Sequence, residues 1–391
     1  MIGKLVRFIC FLAESVIVLF TTLIPRNKKM IIFGAWWGNK YDDNSRALFE
    51  YTVKNRPDIQ AYWLSSNKNV VNSIIKKGYP AIYSKSIKAI YIALRTGYEC
   101  YCTSQVDVGS NLTKYLGGCT IINLWHGVPL KKILYDDSIT NKKTKIIASL
   151  KIKLSKITNP NWFVICTSDF YYKIYQHAFR ISGDKVLNLG QARNDYLFYD
   201  LSNPYKEKYA GKTIIVYMPT HRQEGRRTLN IANVLDLYSL DVLLKKSNAI
   251  LLIKKHYYHR EEPSLREEFE NIQEVTDDNP EAYVLLKAAD ILISDYSSVY
   301  IDYLLLKRPQ LFFCFDYDDY IMNDREMYID YFSNVPGPIC KNSEELLMEL
   351  KEVLSGVDRY QARRQQQLDF FYSPENQSIV APKQLDVILN I

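Results

Sequence analysis

The sequence predicts an α/β fold built from two Rossmann-like domains. Short apolar runs, typical of buried strands, alternate with segments of helical period along most of the 391 residues. Ser202-Asn203-Pro204 interrupts this alternation and a second series follows. Polar clusters come directly after several of the apolar runs, where parallel sheets bind ligands. We therefore expect an apolar segment over 1–29 and two domains, over 30–203 and 204–391, that face each other across a cleft.

Composition and charge restrict the class of protein. Hydrophobic residues make up 47% and charged residues 24%, which is typical of a globular chain. The net charge of +7 fits a surface that meets anionic lipid or phosphate-bearing substrates, and it is too small to predict nucleic-acid binding. Seven scattered cysteines indicate reduced, buried thiols in the cytoplasm. Cys100 and Cys102 have no second pair spaced to complete a zinc site, and we predict no metal site.

The segment Phe8–Ile24 is almost wholly apolar and has basic residues on both sides. It could span a membrane, act as a secretory signal, lie in the lipid headgroup region or pack on its own domain. Glu14 is costly inside a bilayer, and LIPRNKK offers no small-residue cleavage site. We favour a peripheral or monotopic helix at the membrane surface. The heavier basic flank, after Ile24, predicts that the following domain lies at the cytoplasmic face.

In the first domain, strands are predicted where short apolar runs are bounded by turn residues. These runs are Ile31–Ala35, Ala61–Leu64, Ala81–Tyr83, Tyr98–Thr103, Thr120–Trp125, Phe163–Cys166 and Val186–Leu189. Apolar residues at helical spacing predict helices over Asn44–Val53, Val70–Lys77, Ile87–Leu94 and Phe170–Phe179. A basic stretch from Lys131 to Lys156 is predicted to be mobile. Strands that alternate with helices imply a parallel sheet.

The second domain repeats the pattern. Strands are predicted over Thr213–Met218, Ile250–Ile253, Ile291–Ile293 and Leu311–Phe315. Helices are predicted over Leu240–Lys246, Ala282–Ala289 and Glu344–Leu354, with further helical residues towards the C-terminus.

The segment Asp290–Phe313 has the most informative pattern in this domain. Its strand ends in Ser294-Asp295-Tyr296-Ser297-Ser298, and helical spacing follows from Val299 until Pro309 stops it. A strand that enters a helix through a polar turn presents free N–H groups and hydroxyls, which bind phosphate well. The alternative is ordinary capping of the helix by Ser297 or Ser298.

His126 follows another predicted strand and precedes Gly127 and Pro129, so a tight turn would display its imidazole. Histidine titrates near working pH and can take a proton from a hydroxyl. The alternative is a turn histidine whose nitrogens bind backbone carbonyls. Lys131 and Lys132 could hold a phosphate of the acceptor, or they could form a solvated face.

Two basic clusters follow strands of the second domain. His221 and Arg222 come after Thr213–Met218, and His256 follows Lys254-Lys255. Such cations can grip a diphosphate and neutralise charge on a leaving phosphate. Asp316-Tyr317-Asp318 spells D-x-D, which some sugar transferases use for a metal-bound nucleotide, but we favour a solvated acidic loop.

Several segments together resemble the CDP-glycerol glycerophosphotransferase family, which contains teichoic-acid primases and polymerases and their capsule-building relatives. The matching segments are FGAWWGNKYDDNSRALFEY, NLWHGVPLKK, CTSDFYYKIYQHAF, LGQARNDYLF, YMPTHR, IKKH, ISDYSSVYIDYLLLKRP and VPGP. They occur in the family's order from about Met30 to Pro338, so the resemblance covers most of the chain.

The resemblance implies a GT-B-like fold and transfer of polyol phosphate from CDP-glycerol or CDP-ribitol to a hydroxyl of a lipid-linked glycan or polyol-phosphate acceptor. CMP would be released, without a cofactor. His126 would be the general base in an acceptor domain, and His256 would steady the donor phosphates in a donor domain. The donor site would also contain Ser294, Asp295, Ser297 and Ser298. Asp302 could reach the ribose hydroxyls, although a surface aspartate is equally compatible with its position.

The chain departs from the family pattern in two places. Many relatives have PTWR where this chain has Pro219-Thr220-His221-Arg222, and K-x-HP where it has His256-Tyr257. These departures leave the polyol and the acceptor open. Two other functions also stay open: a nucleotide-sugar glycosyltransferase on the same fold, and a non-catalytic, membrane-attached module that binds nucleotide.

Overall fold

The computed structural model describes residues 13–137, 161–220, 230–255, 265, 268–275, 282–323 and 326–391. Contacts divide the chain into two compact units. Unit 1 contains the described residues of Met1–His126, Leu134–Asp195 and Ser378–Ile391, and unit 2 contains those of Gly127–Ile133 and Tyr196–Gln377. Each unit has a parallel sheet, so the predicted α/β class with two parallel sheets is confirmed. That the units face each other across a cleft stays a prediction.

Unit 1 is organised around a sheet with the order β3-β2-β1-β4-β5-β6-β7. Its strands are β1 (Asn27–Phe33), β2 (Gln60–Ser65), β3 (Ala81–Tyr83), β4 (Thr96–Tyr101), β5 (Thr120–Asn123), β6 (Trp162–Cys166) and β7 (Val186–Asn188). The connecting helices include α1 (Asp43–Asn55), α2 (Lys68–Lys76), α3 (Ile87–Arg95) and α4 (Asp169–Ala178). The strand order reverses between β1 and β4, and loops at such a reversal form ligand crevices.

Glu99 is a buried acidic side chain in the interior of this sheet. It lies on β4 between Ile32 of β1 and Ile121 of β5, and it is fully buried. Gln105 donates a hydrogen bond of 3.3 Å to one carboxyl oxygen. Burial raises the pKa of Glu99 to about 8, so the folded protein holds a neutral carboxylic acid there at neutral pH.

Glu99 should make the stability of the fold depend on pH. The unfolded side chain ionises near 4.5 and the folded one near 8, so the folded state binds more protons between these values. The unfolding free energy should therefore fall as the pH rises through this window, by up to about 1.4 kcal/mol per pH unit. Glu99→Gln keeps the acceptor for Gln105 and removes this slope. Denaturant titrations of both proteins between pH 5 and pH 8 should diverge, with the variant more stable at the alkaline end, and parallel curves would contradict the prediction.

Unit 2 has a sheet of order β10-β9-β8-β11-β12-β13. Its strands are β8 (Thr213–Tyr217), β9 (Ala249–Ile253), β10 (Ile272–Glu274), β11 (Ile291–Ser294), β12 (Gln310–Phe313) and β13 (Ile339–Cys340). Its helices are α5 (Pro204–Lys208), α6 (Leu237–Lys246), α7 (Ala282–Ala288), α8 (Val299–Tyr303), α9 (Tyr317–Asn323), α10 (Tyr331–Asn334), α11 (Ser343–Leu354) and α12 (Gln361–Phe371). The sequence did not predict β10 and β13, because β10 (Ile-Gln-Glu) contains a single apolar residue and β13 (Ile-Cys) only two, which is too short an apolar run.

The two units do not follow the predicted division at residue 203. Helix α13 (Ala381–Leu389) belongs to unit 1, where the buried Asp195 carboxylate accepts from the backbone N–H groups of Val380 and Ala381, both at 2.9 Å. Gly127–Ile133 belongs to unit 2, where the N–H of Lys132 donates to the carbonyl of Glu326 at 2.7 Å. These contacts join distant parts of the chain, so a linear division could not predict them.

Part of the predicted apolar segment is described. Residues 13–21 are helical, and the rest of Phe8–Ile24 before residue 13 lies outside the described residues. Thr21 is buried, and its hydroxyl accepts from the N–H of Gly117 at 3.2 Å. Arg26 fixes the end of this segment by donating to the carbonyls of Thr21, Ala93, Tyr115 and Gly117. The described part therefore packs on unit 1, as one of the four interpretations predicted.

The same segment, over the helix and the turn that follows it, also has a solvent-exposed apolar face. Leu19, Phe20 and Leu23 are 47%, 68% and 79% exposed. Among the residues that the structure describes, no helix combines the length and the apolar character needed to cross a bilayer.

Candidate active-site residues

His126 lies in a tight turn at the carboxyl end of β5 in unit 1. Strand β5 ends at Asn123, whose side chain accepts from the N–H of Trp125 at 2.9 Å. Trp125 has a φ of +57° and Gly127 a φ of +134°. The value at Gly127 is one that side-chain-bearing residues rarely adopt, which explains the glycine. The backbone therefore turns sharply on both sides of His126, so the predicted tight turn is present.

The hydrogen bond of the ring fixes its tautomer. Nδ1 of His126 lies 2.9 Å from the carbonyl oxygen of Cys102, which can only accept. In the neutral ring, Nδ1 therefore carries the hydrogen and Nε2 keeps its lone pair. The indole of Trp125 lies against the imidazole, with ring centroids 4.3 Å apart. The predicted alternative, a histidine bound to backbone carbonyl, accounts for Nδ1 and leaves Nε2 able to accept a proton.

The surroundings of His126 favour its neutral form. Burial lowers the pKa of His126 below its ordinary 6.5, with Asp43 and the Cys102 carbonyl opposing this effect and Arg193 adding to it. A histidine that is neutral at neutral pH can act as a general base.

Three residues that the sequence did not single out hold this turn. The amide of Asn44 donates to the carbonyl of Trp125 at 2.9 Å, and its oxygen accepts from the N–H of Arg193 at 3.1 Å. The guanidinium of Arg193 donates to the carbonyl of His126 and to Asp43, both at 3.0 Å. All three lie in segments that match the family, but no local pattern showed that they converge on His126.

Lys131 and Lys132, predicted to hold an acceptor phosphate, make contacts within unit 2. The Lys132 ammonium lies 2.5 Å from the carboxylate of Glu326. The Lys131 ammonium lies 4.9 Å from the ring centroid of Tyr320. Both contacts involve the segment that directly follows His126, and the acceptor role of the lysines stays a prediction.

In unit 2, the predicted donor loop follows β11. Asp295 is fully buried, and its carboxylate accepts from the N–H of Thr220 at 2.9 Å and from the Thr220 hydroxyl. The carbonyl of Asp295 also accepts from the hydroxyl of Tyr331 at 2.7 Å. Asp295 therefore joins the loop after β11 to the loop after β8, which precedes His221 and Arg222. The sequence predicted this aspartate at the donor site and missed its bond to Thr220.

The serine hydroxyls at this strand end make no short capping hydrogen bond to the following helix, α8. Ser298 stands at the N-cap of α8, and within the described residues its side chain makes no capping hydrogen bond. Ser297 accepts from the N–H of Val299 at a long 3.4 Å. Ser294 is buried, and its hydroxyl has no hydrogen-bond partner in the described part of the chain. Simple capping, the predicted alternative, therefore does not account for these hydroxyls.

Asp302 is buried, so its interpretation as a surface aspartate was wrong. The hydroxyls of Tyr283 and Tyr372 donate to its two carboxylate oxygens at 2.8 and 2.7 Å. The carboxylate thus joins three helical segments of unit 2, and the ribose contact stays a prediction.

The other predicted residues are only partly described. His221, Arg222 and His256 lie outside the described residues. In the D-x-D segment, Asp316 accepts from the hydroxyl of Tyr296 at 3.2 Å, and Tyr317 begins α9. The described residues contain no group of three or more His, Cys, Asp or Glu side chains that could hold a metal ion.

Comparison with known proteins identifies relatives over most of the chain. A family model described as CDP-Glycerol:Poly(glycerophosphate) glycerophosphotransferase matches residues 16–379. The teichoic acid poly(glycerol phosphate) polymerase of Bacillus subtilis (strain 168) is 30% identical over 350 residues, which cover 85% of this chain and 45% of the relative. The teichoic acid glycerol-phosphate transferase of Staphylococcus aureus (strain NCTC 8325 / PS 47) is 29% identical, covering 85% of this chain and 86% of the relative. The chain thus spans about half the length of some curated relatives and most of others.

Solved structures agree on the fold. The wall teichoic acid polymerase TagF aligns with a TM-score of 0.74 at 24% identity, covering 98% of this chain and 95% of that one. A TagF variant soaked with CDPG aligns with a TM-score of 0.77 at 22% identity, covering 100% and 98%. The match of the family model over residues 16–379 decides the assignment. The chain belongs to the CDP-glycerol:poly(glycerophosphate) glycerophosphotransferase family.

Proposed function

We propose that this chain transfers glycerol phosphate, or a similar polyol phosphate, from a CDP-activated donor to a hydroxyl of a membrane-linked acceptor. Its role would be in the synthesis of teichoic acid or a capsule polymer. The observation that carries the proposal is the imidazole of His126, whose Nδ1 is committed to the Cys102 carbonyl and whose Nε2 is left as a base. Relatives named as glycerol-phosphate and ribitol-phosphate enzymes support a polyol phosphate as the transferred group.

The reaction would be an in-line displacement at phosphorus. Nε2 of His126 takes the proton of the acceptor hydroxyl, and the oxygen attacks the phosphorus that bears the polyol. The bond from that phosphorus to the bridging oxygen breaks, and CMP leaves with the electron pair. Arg222, His221 and His256 would neutralise the developing charge, together with hydroxyls of Ser294, Ser297 and Ser298. The CDP-polyol is the substrate, and no cofactor takes part in this scheme.

A donor comparison tests this function. Purified protein is incubated with CDP-glycerol, CDP-ribitol or UDP-sugars and a lipid-linked acceptor, and the released nucleotide and the product mass are measured. We expect CMP, and a product heavier by one or more polyol phosphates. Release of UDP would favour a sugar transferase on the same fold. Donor binding without turnover on any acceptor would favour the non-catalytic module.

We further propose that the chain works at the cytoplasmic face of the membrane as a peripheral or monotopic protein. The exposed side chains of Leu19, Phe20 and Leu23 support this location. An exposed apolar face close in sequence to the basic residues Lys28 and Lys29 can bind a membrane surface that contains anionic lipid.

Charged substitutions on this face should therefore weaken membrane binding. Phe20→Asp combined with Leu23→Asp is expected to reduce co-sedimentation with phosphatidylglycerol vesicles by roughly tenfold or more. Ile75→Asp is the matched control, since Ile75 is an apolar residue of unit 1 that is 52% exposed on α2. Equal vesicle binding by the double variant and the control would contradict this placement.

A further inference from the structure

We propose that Arg193 and Asp43 form a positioning pair that fixes the backbone of His126 and sets the charge around its imidazole. The inference rests on the proposed role of His126 as the base. The pair joins three parts of the chain, because Arg193 lies 67 residues from His126 and 150 residues from Asp43. Nη1 of Arg193 reaches both partners, the carbonyl of His126 and the carboxylate of Asp43, at 3.0 Å.

Both charged side chains are largely removed from water. The side chain of Arg193 is 13% exposed and that of Asp43 is 5% exposed. Removing two charges from water costs desolvation energy, and the attraction between the charges often does no more than offset this cost. A gain in folding stability is therefore a weak explanation for a buried ion pair. A role at the neighbouring His126 explains the placement better.

The backbone around the pair is strained in a way that requires support. Asp43 and Trp125 have φ values of +68° and +57°, in the left-handed region that is strained for side-chain-bearing residues. Asn44 bonds to the carbonyl of Trp125, and Arg193 bonds to the carbonyl of His126. Two consecutive carbonyls of the turn are thus held by side chains from α1 and from the loop after β7. This support fixes the direction in which Nε2 points.

The charges of the pair act on His126 in opposite senses. Among the described residues, the charged groups that act on the ring are Asp43 on α1, Asp107 in the loop after β4 and Arg193 after β7. The two carboxylates favour the protonated imidazole, whereas Arg193 disfavours it. Removal of either member of the pair should therefore shift the titration of His126, and the two shifts should have opposite signs. A purely structural role would not produce this pattern.

The test is an NMR titration of the His126 ring in the full chain, with His126→Asn used to assign its signal among the five histidines. Arg193→Gln should raise the pKa of His126, and Asp43→Asn should lower it. Arg193→Lys keeps the charge, but the lysine side chain ends one bond short of the Nη1 position that reaches both acceptors. Its titration should therefore stay near wild type while kcat falls. Arg46→Gln is the matched control, because Arg46 pairs with Glu50 at 2.8 Å farther along α1 and should leave the titration unchanged.

The outcomes separate this inference from the proposed function. Shifts of the same sign, or no shift in either folded variant, would overturn the pair's role. If Arg193→Gln does not fold, the role of the pair is still tested by the His126 titration in Asp43→Asn and by kcat in Arg193→Lys. Opposite shifts in a protein whose His126→Ala variant keeps full turnover would retain the pair and reject His126 as the base. The acid limb of kcat/KM should move in the same direction as each pKa shift.

Discussion

Replacing His126 by alanine is expected to lower kcat by about 10²–10⁴-fold, the usual contribution of a general base. Binding of the CDP-polyol should change little, because the loops assigned to the donor lie in unit 2. Turnover is measured by CMP release at saturating donor and acceptor, and donor affinity by calorimetry. His177→Ala is the control, since His177 is an exposed residue of α4 whose Nδ1 lies 2.8 Å from Asp136.

The wild-type pH profile gives an independent check on the same residue. The base must be neutral, so kcat/KM should fall as the pH drops through the pKa of His126. Burial lowers that pKa, which places the limb below 6.5. Near-normal turnover of His126→Ala, or an acid limb that persists in this variant, would reject the assignment.

Replacing Asp295 by alanine is expected to reduce both the stability of unit 2 and donor binding. The change leaves the buried N–H and hydroxyl of Thr220 without their acceptor, which should cost about 3 kcal/mol of unfolding free energy. It also releases the loop that leads to His221 and Arg222. We therefore expect the dissociation constant for CDP-glycerol to rise by roughly tenfold or more.

Asp290 provides a matched control for the loss of stability. It accepts from the N–H of Ile214 at 2.9 Å and joins the same two strands, β8 and β11, at their amino ends. Asp290→Ala should therefore destabilise unit 2 without weakening the binding of the donor. Denaturant titration and calorimetry on both variants separate the effects. Unchanged donor affinity in a folded Asp295→Ala protein would contradict the role of this carboxylate.

Local sequence patterns were enough to predict every described strand except β10 and β13, most of the helices, and the positions of His126 and Ser294–Ser298 at strand ends. These features are local: a run such as Ile291–Ile293 is buried because it is apolar, and its polar continuation must lie at the carboxyl end of a parallel strand. That is why His126 and Ser294–Ser298 were predicted at loops. The family motifs added the roles that such loops can play.

The groups that these residues contact could be read only from the folded chain. Thr220 meets Asp295 across 75 residues of sequence, and Asp195 meets Val380 across 185. Arg193 meets the carbonyl of His126 across 67 residues. A backbone carbonyl or N–H has no sequence signature, so no pattern of residues shows which one a side chain will bind. The choice depends on where the folded sheets bring distant loops together. The sequence left Asp302 open between a ribose contact and a surface position, and the fold made it a buried acceptor for two tyrosines.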